Sequence, residues 1–372
     1  MSGQRPPSRQ GSPSRQRAPS EQGPPSAQGA DRSRGLCLVT GASGFIGGRL
    51  AGRLAQEGHP VRCLVRAGSD TSQIDGLDVE VVLGDLTDAG SLARASDGVR
   101  DVLHCAALVS DWARAREIAR VNVHGTRALL DACAGASVRR FVHFSTTDVY
   151  GHPGGQAIEE TYTATRFANW YAQTKLQAED EVSRAHGAGE LETVILRPAT
   201  VYGPGSKDVI GEIARAIEGR RMLLVGGGRA LAGLCYVENL IDAALLALGH
   251  PAAPGEAFNV SDGLPVTWRR LVDDLAQGLG CARVRWSLPY RLAHGLGFSL
   301  EHGYRLLRAG TGLSTPPLLS RQAVQVLGRD QDFSNRKLRQ TLGWEPRVDY
   351  AGGLQATLAW LKAARREGLT PR

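Results

Sequence analysis

From Gly35 to about Gly203, short runs rich in leucine or β-branched residues alternate with longer amphipathic stretches. That alternation predicts a doubly wound α/β architecture, a parallel sheet with helices on both faces, because parallel strands need covering crossovers. Strands are predicted at 36–40, 61–65, 79–83, 101–105, 140–145 and 193–196, and helices at 45–57, 89–95, 115–134 and 169–185. After Gly203 the rhythm decays into shorter elements, with helices predicted at 237–248 and 268–279. The expected organisation is a tail over 1–34, the main α/β unit over 35–203, and a smaller substrate lobe over 204–365 that returns some elements to the sheet.

Composition narrows the class. With 42% hydrophobic and 22% charged residues, the 372-residue chain can bury a substantial core. Its formal charge is +7, yet the first 34 residues hold six arginines against Glu21 and Asp31, so the body is close to balanced. No Lys/Arg stripe with interleaved aromatics marks a nucleic-acid track. The tail is dominated by Pro, Ser, Gln, Gly and Arg; it has too little to bury to offset its ordering entropy, and it is read as disordered. The six cysteines are widely spaced and lie mostly in apolar runs, so they read as core thiols, with no metal site and no disulfide framework. No apolar run reaches membrane-spanning length. The expectation is a cytoplasmic homodimer acting on a small hydrophobic substrate, without nucleic acid, and with peripheral membrane contact left open.

Chemistry enters at Thr40-Gly41-Ala42-Ser43-Gly44-Phe45-Ile46-Gly47, between the first strand and the first helix. Gly41, Gly44 and Gly47 permit a tight turn and close backbone approach. Ser43, Phe45 and Ile46 bring N–H groups to a helix start whose dipole favours a pyrophosphate. The context is that of a Rossmann-type dinucleotide site. Gly48 and Gly52 read as packing glycines. At the end of the second strand stands Arg66, a cation suited to a 2′-phosphate, which tilts the expected cofactor toward NADP over NAD. Asp85, after the third strand, is placed either to accept from the adenine amino group or to serve as a turn acid, with Leu86 beside it. Ala106 and Ala107 end the fourth strand with small residues that a cofactor could lie against, and His104 reads as a packing histidine.

Tyr171 and Lys175 are one turn apart on a predicted helix and share a face. A phenol titrates near 10, so acting as a base at neutral pH calls for a nearby cation. Bringing it toward 7 corresponds to roughly 4 kcal/mol, which Lys175 is expected to help supply. Ser145 and Thr146, at the end of the preceding strand, offer hydroxyls that could hold a substrate oxygen beside that phenol.

With these residues in hand, the chain from about 36 to 361 resembles the extended short-chain dehydrogenases/reductases, the NAD-dependent epimerase/dehydratase family. Further matching stretches are 121–126, with Asn122, and 197–205, with Pro198 and Val201. The resemblance implies that Tyr171 is the base, Thr146 with Ser145 the hydroxyl, and Lys175 the nicotinamide-ribose ligand. It also implies that Asn122, the helical Asn of the family, is cofactor-binding, as are Pro198, which begins the segment lining the nicotinamide, and Val201. Where nucleotide-sugar enzymes of the family carry an arginine for the diphosphate, this chain has Ala232-Gly233-Leu234-Cys235, with Arg229 nearby. Residues 258–268 and 288–290 resemble instead the 3β-hydroxysteroid and sterol-4-carboxylate dehydrogenase branch. The implied activity is hydride transfer between nicotinamide and a secondary alcohol or ketone of a sterol, a steroid or a long-chain 3-hydroxy/3-keto acid. A nucleotide-sugar epimerase or dehydratase is the alternative, followed by a non-catalytic NAD(P) sensor. The spacing of Leu292, Leu296, Leu300 and Tyr304 predicts one apolar helix face, covering substrate, packed in the core or touching a membrane.

Overall fold

The structure is a computed structural model; it describes residues 1–3, 35–155, 157–167, 169–311 and 320–366, with only the backbone of 305–311. Residues 4–34 of the tail read as disordered lie outside this set. The chain runs through β1 (Cys37–Thr40), α1 (Phe45–Gln56), β2 (Val61–Val65), β3 (Glu80–Leu83), α2 (Ala89–Ser96) and β4 (Asp101–His104). It continues with α3 (Ala115–Ala119), a π-helical turn (Arg120–Gly125), α4 (Thr126–Gly135), β5 (Arg140–Phe144), α5 (Trp170–Gly187) and β6 (Glu192–Pro198). Next come β7 (Thr200–Tyr202), α6 (Glu212–Glu218), β8 (Leu224–Val225), β9 (Leu234–Tyr236), α7 (Val237–Gly249) and β10 (Ala257–Val260). The last are α8 (Trp268–Gly278), β11 (Ser287–Leu288), α9 (Tyr290–Thr311), α10 (Arg321–Gly328), α11 (Arg336–Leu342) and α12 (Tyr350–Arg366).

The main sheet has seven parallel strands in the order β3-β2-β1-β4-β5-β6-β10. The order in which the chain adds strands reverses between β1 and β4, which puts the ligand crevice of a doubly wound sheet at their C-terminal ends. Alternate residues feed two cores. Val39, Cys63, Leu103, Val142 and Val194 pack on the face that holds Leu50 of α1 and Leu240 of α7, while Leu38, Leu64, Val102 and Phe141 meet Leu92, Leu129 and Val182 on the other. Each such aliphatic side chain contributes roughly 1.5–3 kcal/mol on burial. The strands at the centre therefore read as apolar through their middles, with polar residues at their ends, as a sheet covered on both faces favours.

The predicted helix over 115–134 is present but passes through the π-helical turn at Asn122. The apolar spacing in α9 does not make one face. Leu292, Leu296 and Leu300 are exposed, whereas Ala293, Glu301 and Tyr304 are buried, and the Tyr304 ring meets Trp112 edge-on at 5.0 Å. At about 100° per residue, each four-residue step drifts by roughly 40°, so Tyr304 has turned away from Leu292 by about a third of a circle. Among the described residues, no helix is long and apolar enough to cross a membrane.

Candidate active site

The turn after β1 is built by backbone contact. Gly41 has φ +71°, and a Cβ on it would stand 2.8 Å from the Ala106 nitrogen; a Cβ on Gly47 would run into the Gly41 carbonyl. The loops after β1 and β4 thus meet backbone to backbone. Gly48 packs against Gln73, whereas Gly52 has ordinary contact with Leu77. Gly44 begins α1 with no side-chain cap, so the first-turn N–H groups, including those of Phe45 and Ile46, are left for another acceptor. Ala106 donates to Thr40 Oγ1 at 3.3 Å, with Ala107 following it on the same loop, and Ser43 is half-buried in the turn.

Arg66 and Asp85 front one open depression of about 730 Å³, lined also by Ala67, Gly68, Ser69, Leu83, Gly84 and Asp88. Arg66 is exposed and makes no hydrogen bond or ion pair among the described residues. Asp85 Oδ1 accepts from the Thr87 N–H at 2.8 Å and hydroxyl at 2.7 Å, which holds its carboxyl below the usual range. That is the turn-acid arrangement, with the second oxygen left over. Leu86, expected at the cofactor, is buried in the core against Gly125 of the π-helical turn. Gly125 has room for no Cβ there.

Asn122 also departs from the expectation. Its side chain accepts from the Leu108 N–H at 2.7 Å and donates to the Leu108 carbonyl at 3.1 Å and to Thr174 Oγ1 at 3.3 Å. It is 2% exposed and fully occupied, so it ties the loop after β4 to α5 rather than facing a ligand. His104 is a packing histidine. It lies between Thr40 Oγ1 at 2.8 Å and Thr126 Oγ1 at 2.9 Å, and burial pushes its pKa down to about 3, leaving it neutral.

Asn169 caps α5, accepting from the Ala172 N–H at 3.0 Å, and so fixes the turn that carries Tyr171. The same Asn169 donates to Asp111 at 2.7 Å, and the other Asp111 oxygen accepts from Ser320, the N-cap of α10, at 2.7 Å. One carboxylate therefore joins two helix starts. Lys175 is 2% exposed; its ammonium donates to the Phe144 carbonyl at 2.6 Å and lies 3.1 Å from His143 Nε2. Burial lowers its pKa to about 8, opposed by Glu179 one turn on, which is itself paired with Arg197 at 2.6 Å. Thr146 caps the short turn after β5, accepting from the Asp148 N–H at 3.1 Å, and Ser145 Oγ is buried without a partner.

The phenol differs from the expectation that Lys175 depresses it. Burial, and then the Asp148 carboxylate, push Tyr171 above its ordinary value. The physical reason is that the ammonium is engaged by β5, while the charge that Tyr171 feels is an anion. Among the described residues the Tyr171 hydroxyl has no hydrogen-bond partner. Pro198 is buried at the end of β6, and Val201 is half-buried in β7, which pairs with β9 instead of the main sheet.

Sequence reading missed the bracing around this set. Arg197 joins Glu179, the Tyr150 hydroxyl at 2.8 Å and the Glu160 carbonyl, and Tyr150 donates to Asn259 of β10 at 2.6 Å. His152, with φ +51°, is buried between Gln331 and Gln322, 2.7 Å from each. Apolar spacing reveals neither group, since their partners lie far away in the chain. A glycine cradle, an uncapped helix start and a pinned buried ammonium at the sheet's switch point together fit a dinucleotide.

The profile of the NAD dependent epimerase/dehydratase family matches residues 37–261. A 4-hydroxy-2-methyl-3-oxo-4-farnesyl-3,4-dihydroquinoline-1-oxide ketoreductase of Stigmatella aurantiaca is 33% identical over 320 residues, covering 86% of this chain and 94% of its own. A 3 beta-hydroxysteroid dehydrogenase/Delta 5-->4-isomerase of Mycobacterium tuberculosis is 35% identical over 329 residues, covering 84% of this chain and 86% of its own. The solved structure of MoeE5 in complex with UDP-glucuronic acid and NAD superposes with a TM-score of 0.69 at 26% identity, covering 89% of this chain and 100% of that one.

Proposed function

The chain belongs to the NAD dependent epimerase/dehydratase family and is an oxidoreductase of the extended short-chain type, and from that premise we propose that it reduces a ketone, or oxidises the matching secondary alcohol, on a hydrophobic substrate. The observation that carries the substrate class is the strand β9. Ala232, Leu234 and Cys235 are 0–1% exposed where nucleotide-sugar members would need a cation for the diphosphate. Arg229, the nearby alternative, is exposed beside Gly227 on the turn after β8. Other arginines of the small lobe are committed to the protein itself: Arg269 to the Gly227 and Val284 carbonyls, Arg321 to Glu301, and Arg329 to the His152 carbonyl and Tyr290. Two relatives act, by their names, on a farnesylated quinoline and on a 3 beta-hydroxysteroid, both large and apolar.

Nicotinamide, when bound, supplies or takes the hydride. The protein's part is to hold and move a proton. Tyr171, kept as a neutral phenol by burial, is in the form that donates to the oxygen of a ketone as it becomes an alcohol. Thr146 and the unpartnered Ser145 hydroxyl orient that oxygen, and Lys175 holds the ribose. Arg66, free in the adenine depression, favours a 2′-phosphate and hence NADP, although Asp85 and Asp88 share that depression and oppose a second anion.

A panel of 3-keto and 3-hydroxy steroids, long-chain 3-keto acids and UDP- or dTDP-sugars, followed by nicotinamide absorbance, tests this reading. Turnover is expected with the apolar ketones and with NADPH. Conversion of a nucleotide sugar with no net nicotinamide change would overturn it.

A further inference from the structure

His143 belongs to none of the roles above, yet it touches the ammonium at the centre of them. It sits on β5 in register with His104 of β4, which in turn is in register with Thr40 of β1, so three polar residues cross adjacent strands at the sheet's C-terminal edge. The two histidines differ in one respect. Both nitrogens of His104 are satisfied by threonine hydroxyls, whereas His143 has Nε2 against Lys175 and a buried Nδ1 with no partner. His143 is 0% exposed. An apolar side chain there would avoid leaving a buried ring nitrogen unpaired, so the imidazole serves the fold poorly by itself.

An ammonium has three N–H donors. Lys175 directs one to the Phe144 carbonyl and, with His143 neutral and its proton on Nδ1, another to His143 Nε2. Neutrality follows from the surroundings: the ring is enclosed, with Lys175 and His104 as its charged or chargeable neighbours, and both of these and burial disfavour a second cation. Around the pair, β4 contributes His104, the loop after it Cys105, α5 contributes Glu179, and β6 contributes Arg197 through Glu179. Among the described residues no carboxylate hydrogen-bonds Lys175, and Glu179 is taken by Arg197.

We infer that His143 is a positioning residue for Lys175: together with the Phe144 carbonyl it takes two of the three N–H groups and leaves one to be aimed at the ribose of the cofactor. Two anchors on consecutive residues of one strand fix the ammonium in direction as well as in place. The inference rests on the family chemistry but not on the substrate class, since its main readout needs no substrate.

The test compares His143→Leu, which removes the acceptor, with His143→Gln, which offers an amide oxygen in its stead. Affinity for NADPH and NADH is measured by quenching of protein fluorescence from neutral to alkaline pH, alongside kcat and thermal midpoint. In His143→Leu, cofactor affinity is expected to fall about five- to tenfold, the net size of one ordinary hydrogen bond. The pH above which binding weakens is expected to move down by about half a unit or more, because the charged ammonium has lost an acceptor. The thermal midpoint is expected to change little, because removing the unpaired ring nitrogen offsets the acceptor that the ammonium loses. His143→Gln is expected to recover most of the affinity and the pH profile. Wild-type affinity and pH profile in His143→Leu would overturn the inference. So would equal impairment in both variants, or losses that merely follow a fall in thermal midpoint.

Discussion

At the proposed nicotinamide end of the crevice, Lys175 is 2% exposed and held by two bonds from β5; at the proposed adenine end, Arg66 stands in solvent with no bond to the protein among the described residues. Both are cations at strand ends of the same sheet, and their settings are opposite. The buried one is oriented by the fold itself, with an acceptor set that folding must assemble. The exposed one makes no hydrogen bond or ion pair among the described residues and stands open to a phosphate. On the proposed reading, chemistry is thereby tied to the core, while cofactor choice is left to a surface side chain that can change at little structural cost.

The contrast breaks most readily at Tyr171. Replacing it by Phe leaves the buried end folded and is expected to lower turnover by roughly 10²–10⁴-fold while NADPH affinity changes little. Retained turnover in that variant would mean that the buried end is not where the proton moves. At the open end, Arg66→Glu is expected to raise the KM for NADPH by about 10–100-fold and to leave the thermal midpoint in place. A fall in midpoint comparable to that of a core variant would erase the distinction between the two ends.

Acid sharpens it further. His104 stays neutral down to about 3 in the folded protein, whereas the unfolded chain takes up its proton near the ordinary 6.5. Between those values the unfolded state binds one proton more, so stability is full above about 6.5 and falls as pH drops, by roughly 1.4 kcal/mol per pH unit for each such histidine. His143, held down in the same direction, adds to the slope. His104→Gln is expected to flatten the dependence by about one histidine's share, measured as denaturant midpoints between pH 4 and pH 7 (on the order of those values). Asp85→Asn should have the smallest effect, about threefold or less on cofactor affinity, because its bonds to Thr87 are open to water replacement. A tenfold loss there would show that its free oxygen is committed to the adenine.

Much of the buried end was legible in the sequence, and for a physical reason. Predicted strands at 61–65, 101–105 and 140–145 match β2, β4 and β5 to within a residue, since a strand covered on both faces is apolar along most of its length. Glycines at 41 and 47 stood out because no other residue fits their contacts. What escaped was set by pairing across long chain separations. Asn122 lies on the predicted helix, yet its attachment to Leu108 depends on where the loop after β4 falls. His143 reads as one polar residue in an apolar strand, and its bond to Lys175 exists only once α5 is laid across β5. The small lobe was least legible. Helices α6, α10, α11 and α12 and the edge strand β10 are short or weakly patterned, and the α9 spacing misled because four-residue steps wind slowly around a helix.

Asp111 carries a consequence for the way the phenol is seated. Its two oxygens hold Asn169 and Ser320, so the first turn of the helix bearing Tyr171 and the first turn of α10 hang from a single carboxylate. The two helix starts are thereby yoked: a change that deprives that carboxylate of one donor is felt at the other, and the footing of Tyr171 depends on a part of the small lobe far from it in the chain.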